Sequence, residues 1–218
     1  VTIEEVINKI HEIGIIPVVR AAHLDEAKRA VDAIFAGGVR IIEITMTVPN
    51  APSMIQGLVR HYGADLLTGA GTVTNAAQGE ICIDSGAQFL VSPGLSVPVL
   101  EIASKRGVLA IPGALTPTEV MASLESGAKL IKIFPCGSAG GPSHIKSLKA
   151  PFPDTRLIPT GGVNLANVAQ YFTVGSFAIG VGGELVDLGA IRRNEAFKIT
   201  EMASKFVDAV RLARSTNS

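Results

Sequence analysis

The 218-residue chain contains no tryptophan, and its aromatics are two tyrosines and eight phenylalanines. Nowhere does a basic stretch alternate with aromatics, as single-stranded nucleic-acid binders require for stacking. Net charge is missing too: 19 Lys+Arg balance 19 Asp+Glu. This removes any bulk attraction to nucleic acid or to an anionic membrane surface. Two cysteines, Cys82 and Cys136, are too few for a disulfide framework. No apolar run approaches membrane-spanning length. The first residues, VTIEEVINKIHEIG, read as a short amphipathic helix with Glu4 and Glu5 in its first turn, not as a secretory leader. No Pro/Gly/Ser-rich linker or charge block divides the chain, so residues 1–218 read as a single domain. These absences lead us to expect a soluble cytoplasmic protein with reduced thiols, no nucleic-acid partner and no membrane partner.

What is present is alternation. Short apolar, β-branched runs recur every 20–25 residues or so, about the length of one βα unit. They are IIPVVR (15–20), IIEITM (41–46), LLTGAGTV (66–73), FLVSPG (89–94), VLAIPGA (108–114), LIKIFP (130–135), RLIPTGG (156–162) and FAIGVGG (177–183). Helical stretches lie between them, and three of these end in Gly-Gly or Gly-Ala, a C-cap signature. Nearly continuous apolar strands suggest a parallel sheet covered on both faces. Eight units point to a (β/α)8 TIM barrel with a short N-terminal helix. The rival, an open doubly wound sheet, often carries an early GxGxxG fingerprint, which is absent.

One residue violates the pattern. Lys132 stands inside the apolar run LIKIFP, and a buried ammonium is costly unless paired, neutral or functional. Strand alternation puts Lys132 and Phe134 on one face, with Ile131 and Ile133 on the other. In IIEITMT the same parity groups Glu43, Thr45 and Thr47. Lys132 and Glu43 are therefore candidates to converge at the C-terminal ends of the strands, where this fold places its chemistry. Two explanations stand side by side. One is a structural ion pair across the core, which is rarely a net gain over apolar residues. The other is a desolvated amine able to attack a ketone and form a Schiff base.

The stretches IPVVRA, GGVRIIEITMTVPNA, TGAGTV, FLVSPGL, IPGALTPTE, KIFPC and PTGGVN, in this order, resemble the 2-keto-3-deoxy-6-phosphogluconate (KDPG) aldolase family. The similarity runs from about residue 5 to residue 210. It implies a (β/α)8 barrel, typically a homotrimer, that carries out Schiff-base cleavage to pyruvate and glyceraldehyde 3-phosphate with no metal and no cofactor. By resemblance Lys132 is the Schiff-base lysine and Glu43 the general acid/base. Thr72 and Pro93 match substrate-contacting positions, and Phe134 packs beside the imine. The partner expected is a small molecule: a 2-keto-3-deoxy sugar acid phosphate, or pyruvate.

The loops after strands seven and eight, PTGGV and GVGGELV, carry Gly161, Gly162, Gly182 and Gly183. Barrels of this kind often hold phosphate there through backbone N–H groups. Taken singly, each glycine is explained as well by a tight βα turn. The chain departs from the family at two points. Thr47 stands where the family's EVTxR places an arginine on the pyruvate carboxylate, and Gly183 stands where many members have a serine beside the phosphate. Arg20, ending strand one, is the candidate replacement clamp, with the Thr47 and Thr72 hydroxyls sharing the task. His11, His23, His61 and His144 lack metal-ligand spacing. TPTE reads as a capping box with Thr116 as N-cap and Glu119 at N3. Three other activities remain open at this stage. They are the 4-hydroxy-2-oxoglutarate or galactonate-epimer aldolase, a non-catalytic phosphosugar-binding or scaffold barrel, and a metal-dependent enzyme on the same fold.

Overall fold

A computed structural model describes residues 1–216. The leading helix α1 (Ile3–Ile13) starts at Thr2, whose hydroxyl accepts the Glu5 N–H while the Glu5 carboxylate accepts the Thr2 N–H. It stops at Gly14, with φ 73°, a conformation that only glycine adopts freely. Strands and helices then alternate: β1 (Ile15–Val19), α2 (Leu24–Ala36), β2 (Ile41–Thr45), α3 (Ala51–Tyr62), β3 (Leu67–Gly71) and α4 (Ala76–Asp84). There follow β4 (Phe89–Val91), α5 (Val97–Lys105), β5 (Leu109–Ile111), β6 (Gly113–Ala114), α6 (Pro117–Glu125), β7 (Ile131–Ile133) and α7 (Pro142–Lys149). The chain continues with β8 (Leu157–Pro159), α8 (Val168–Thr173), β9 (Ile179–Val181), α9 (Leu188–Arg192) and α10 (Phe197–Ser215). Among the described residues no helix is long and apolar enough to cross a membrane.

The fold is α/β. Six parallel strands, in the order β5-β4-β3-β2-β1-β9, form one curled sheet, a half-barrel; β6-β7-β8 form a second. The run at 108–114, expected as one strand, is two. Pro112 separates β5 from β6, because proline has no N–H to give to a ladder. Elsewhere the two sheets adjoin at a parallel bridge, Thr160 to Gly180, and the Phe177 N–H donates to the Leu157 carbonyl at 2.9 Å. Among the described residues all nine strands are buried along their whole length, as strands covered on both faces must be.

Register decides which side chains meet inside. Val18 pairs with Glu43, Glu43 with Gly69, and Lys132 with both Gly113 and Ile158. Residues paired in this way point to the same side. The fully buried Phe89 ring fills the space beside Gly69, where a Cβ would lie 2.3 Å from it. Burying that ring contributes about 1.5–3 kcal/mol.

Candidate active site

β2 and β7 belong to different sheets, yet their one charged residue each meets in the middle. Lys132 Nζ lies 3.8 Å from Glu43 Oε1, and the two side chains are 9% and 3% exposed. The lysine also stands 5.1 Å from the centre of the Phe134 ring, its neighbour on the same face. Burial raises the Glu43 carboxyl above its ordinary value, and the Lys132 and Arg20 charges pull only partly the other way. Glu43 Oε1 accepts no hydrogen bond. A buried acceptor left without a donor is costly, so this oxygen is available to a proton or a substrate group.

The sequence around Glu43 makes room for it. Gly71, at the end of β3, has the carboxylate where its own Cβ would be, 1.9 Å from Oε1. Any other residue there would displace the acid. Thr45, next on the inward face, donates to the Val19 carbonyl and shares a 2.7 Å hydrogen bond with Thr47.

Above the pair opens a cleft of about 580 Å³. Six of the residues expected from the sequence line it: Arg20, Lys132, Phe134, Gly161, Gly182 and Gly183. Glu43 faces the narrow space just below, shared with Lys132 and Thr160. The other four lie outside the cleft lining. Thr47 is exposed, its hydroxyl turned to Thr45. Pro93 is exposed as well, with its carbonyl packed against Gly113. Gly162 faces the next loop instead: at φ 79°, its Cβ would be 2.9 Å from the Gly137 Cα. Thr72 accepts from the Arg20 guanidinium at 3.5 Å and has φ 58°. A β-branched residue in that region is strained by about 1–3 kcal/mol, and such strain gathers at functional sites.

Residue-by-residue reading missed the rest of the wall. Thr160, Val18, Val186, Asp187 and Leu188 also line the cleft. Thr160 was within reach, since it shares the parity of Ile158, which pairs with Lys132. The segment 186–188 gave no signal, because its approach depends on how the chain turns after β9. Cys136 is fully buried with its thiol pushed up, held by Tyr171 and the Gly141 carbonyl rather than facing the cleft.

A buried amine 3.8 Å from a buried carboxylate, both on parallel strands beneath an open cleft of an α/β scaffold, is an arrangement suited to carbonyl chemistry. The aldolase family model "KDPG and KHG aldolase" matches residues 6–202, so the chain belongs to that family. It is 33% identical over 198 residues to the KHG/KDPG aldolase of Escherichia coli K12, covering 91% of this chain and 92% of that protein. It is 34% identical to the 2-dehydro-3-deoxy-6-phosphogalactonate aldolase of the same strain, covering 93% and 97%. A solved KDPG aldolase structure from Legionella pneumophila, with pyruvate captured as a covalent carbinolamine, superposes with a TM-score of 0.84 at 31% identity. That match covers 91% of this chain and 96% of the other.

Proposed function

We propose that this protein is a Schiff-base, metal-independent aldolase, a lyase that cleaves 2-keto-3-deoxy-6-phosphogluconate to pyruvate and glyceraldehyde 3-phosphate. The observation that carries the reading is the 3.8 Å approach of Lys132 and Glu43, buried beneath an open cleft. After passing a proton to Glu43, Lys132 attacks the C2 ketone as the free amine, and Glu43 moves the protons needed to form and dehydrate the carbinolamine. The protonated imine is an electron sink. The C4 hydroxyl gives up its proton to Glu43, the C3–C4 bond breaks, and its electron pair enters the enamine. Protonation at C3 from Glu43, or from a water it orients, and hydrolysis then free pyruvate. A single carboxyl acting as acid and base needs a pKa near working pH, and its burial moves it in that direction.

Arg20 takes the carboxylate with Thr72, whose hydroxyl it already approaches. Thr47 contributes less than the sequence suggested, since its hydroxyl is bonded to Thr45. Two strand spacings, roughly 10 Å, separate β7 from β9, enough for the distal carbons to reach the Gly161, Gly182 and Gly183 loops. Relatives named for KHG and for the phosphogalactonate epimer make 4-hydroxy-2-oxoglutarate and the galactonate acid the rival substrates. We further propose that both sheets act as one closed eight-stranded barrel in a single domain. Chain continuity through Pro112 and the Thr160–Gly180 bridge support this. Assembly as a homotrimer predicts a light-scattering mass three times 22.6 kDa.

The test is borohydride reduction with excess pyruvate, followed by peptide mass mapping. One reduced pyruvyl group on Lys132 is expected, and none in Lys132→Met. A folded wild type that gains no mass would overturn the reading. Unchanged turnover in the presence of a chelator is the second expected result.

A further inference from the structure

We infer that Asp187 is a specificity-determining residue of this cleft, acting against a substrate whose far end carries a phosphate dianion. The inference rests on the aldolase reading above and sharpens its substrate class. Of the residues that line the cleft, only Arg20 and Lys132 are cationic, and both are committed elsewhere. Lys132 faces Glu43, and Arg20 leans towards Thr72. The loop after β9, where the distal group must lie, brings Val186, Asp187 and Leu188 to the wall. Among the residues lining the cleft, the charged side chain at that end is thus a carboxylate.

Asp187 is held in place. Its Oδ1 accepts the Ala190 N–H at 3.0 Å, capping α9, and Oδ2 lies 3.6 Å from the Arg193 guanidinium. α9 is fastened to α2 by Arg192, which donates to both oxygens of Glu26 at 2.7 and 3.1 Å. Arg193 is itself shared with Glu195, so it offsets the Asp187 charge only in part. A phosphate carrying roughly −1.5 to −2 charges near pH 7 would enter against this carboxylate. A terminal hydroxyl would not be opposed, and could donate to it. Backbone N–H groups on the glycine loops still attract phosphate. The consequence is a narrowed advantage of phosphorylated over unphosphorylated 2-keto-3-deoxy sugar acids. At a site 54% exposed, solvent screening keeps the effect moderate.

Asp187→Asn separates charge from architecture, because asparagine caps helices as well as aspartate does. The experiment measures kcat/KM for 2-keto-3-deoxy-6-phosphogluconate and for the same acid without phosphate. The ratio of the two should rise about three- to tenfold in Asp187→Asn, and this rise should shrink as salt is added. Asp187→Ser, a second neutral cap, should reproduce it. An unchanged ratio in a wild type that forms the borohydride adduct on Lys132 would overturn the role of Asp187 alone. Absence of that adduct in wild type would overturn the aldolase reading, and this inference with it.

Discussion

Glu43 concentrates the electrostatics of the molecule in one side chain. Its carboxyl is raised by burial, so the folded state binds its proton more tightly than the unfolded chain does. The sign follows from linkage: the stability it contributes is complete below the ordinary carboxylate value and is lost as pH rises through the raised one. Denaturant unfolding of wild type and Glu43→Gln across that window should show the wild type losing ground to the variant as pH increases. Activity should move oppositely. Glu43→Gln should lower kcat by about 10²–10⁴, the usual worth of a positioned acid/base. The acid limb of the wild-type rate profile should lie above the ordinary carboxylate range. Parity alone brought Glu43 and Lys132 to one face, but their 3.8 Å separation depends on two sheets meeting.

Elements show which sequence signals were strong enough to stand alone. The capping box TPTE forms as read: the Thr116 hydroxyl accepts the Glu119 N–H, and the Glu119 carboxylate accepts the Thr116 N–H. Such motifs are legible because every partner lies within four residues. Thr116→Ala should cost about 1 kcal/mol in denaturant unfolding. Glycines are harder to read, since their reasons are tertiary. Gly57, inside α3, has nothing within 4 Å of where a Cβ would stand. Gly57→Ala should therefore stabilise by about 0.5–1 kcal/mol. Gly71→Ala should do the reverse, losing about 1–3 kcal/mol through overpacking, with kcat falling at least about tenfold as Glu43 is pushed aside. Comparing the two variants by unfolding and by steady-state kinetics checks both.

At the scale of the whole molecule, both thiols are sealed in the core: Cys82 and Cys136 are each 0% exposed, and burial raises both. A thiol reagent should titrate neither quickly in the native protein and both once it is unfolded. Eight apolar runs at a βα spacing were enough to announce parallel strands with helical cover, because burial on both faces leaves a continuous apolar signature. Hydrogen-bond continuity was not legible. Pro112 divides one run, and an isolated Thr160–Gly180 bridge links the two sheets, features that depend on where N–H groups point. By itself, the sequence determined the alternation of elements, the face that Lys132 and Glu43 share, and the family to which the chain belongs. Each of these is written in local periodicity or in ordered motifs. Only the tertiary structure decided that Glu43 sits against Gly71, that Gly162 packs on Gly137, and that Asp187 lines the cleft. Those contacts join residues tens of positions apart, whose approach is fixed by strand register and loop path rather than by their neighbours in the chain.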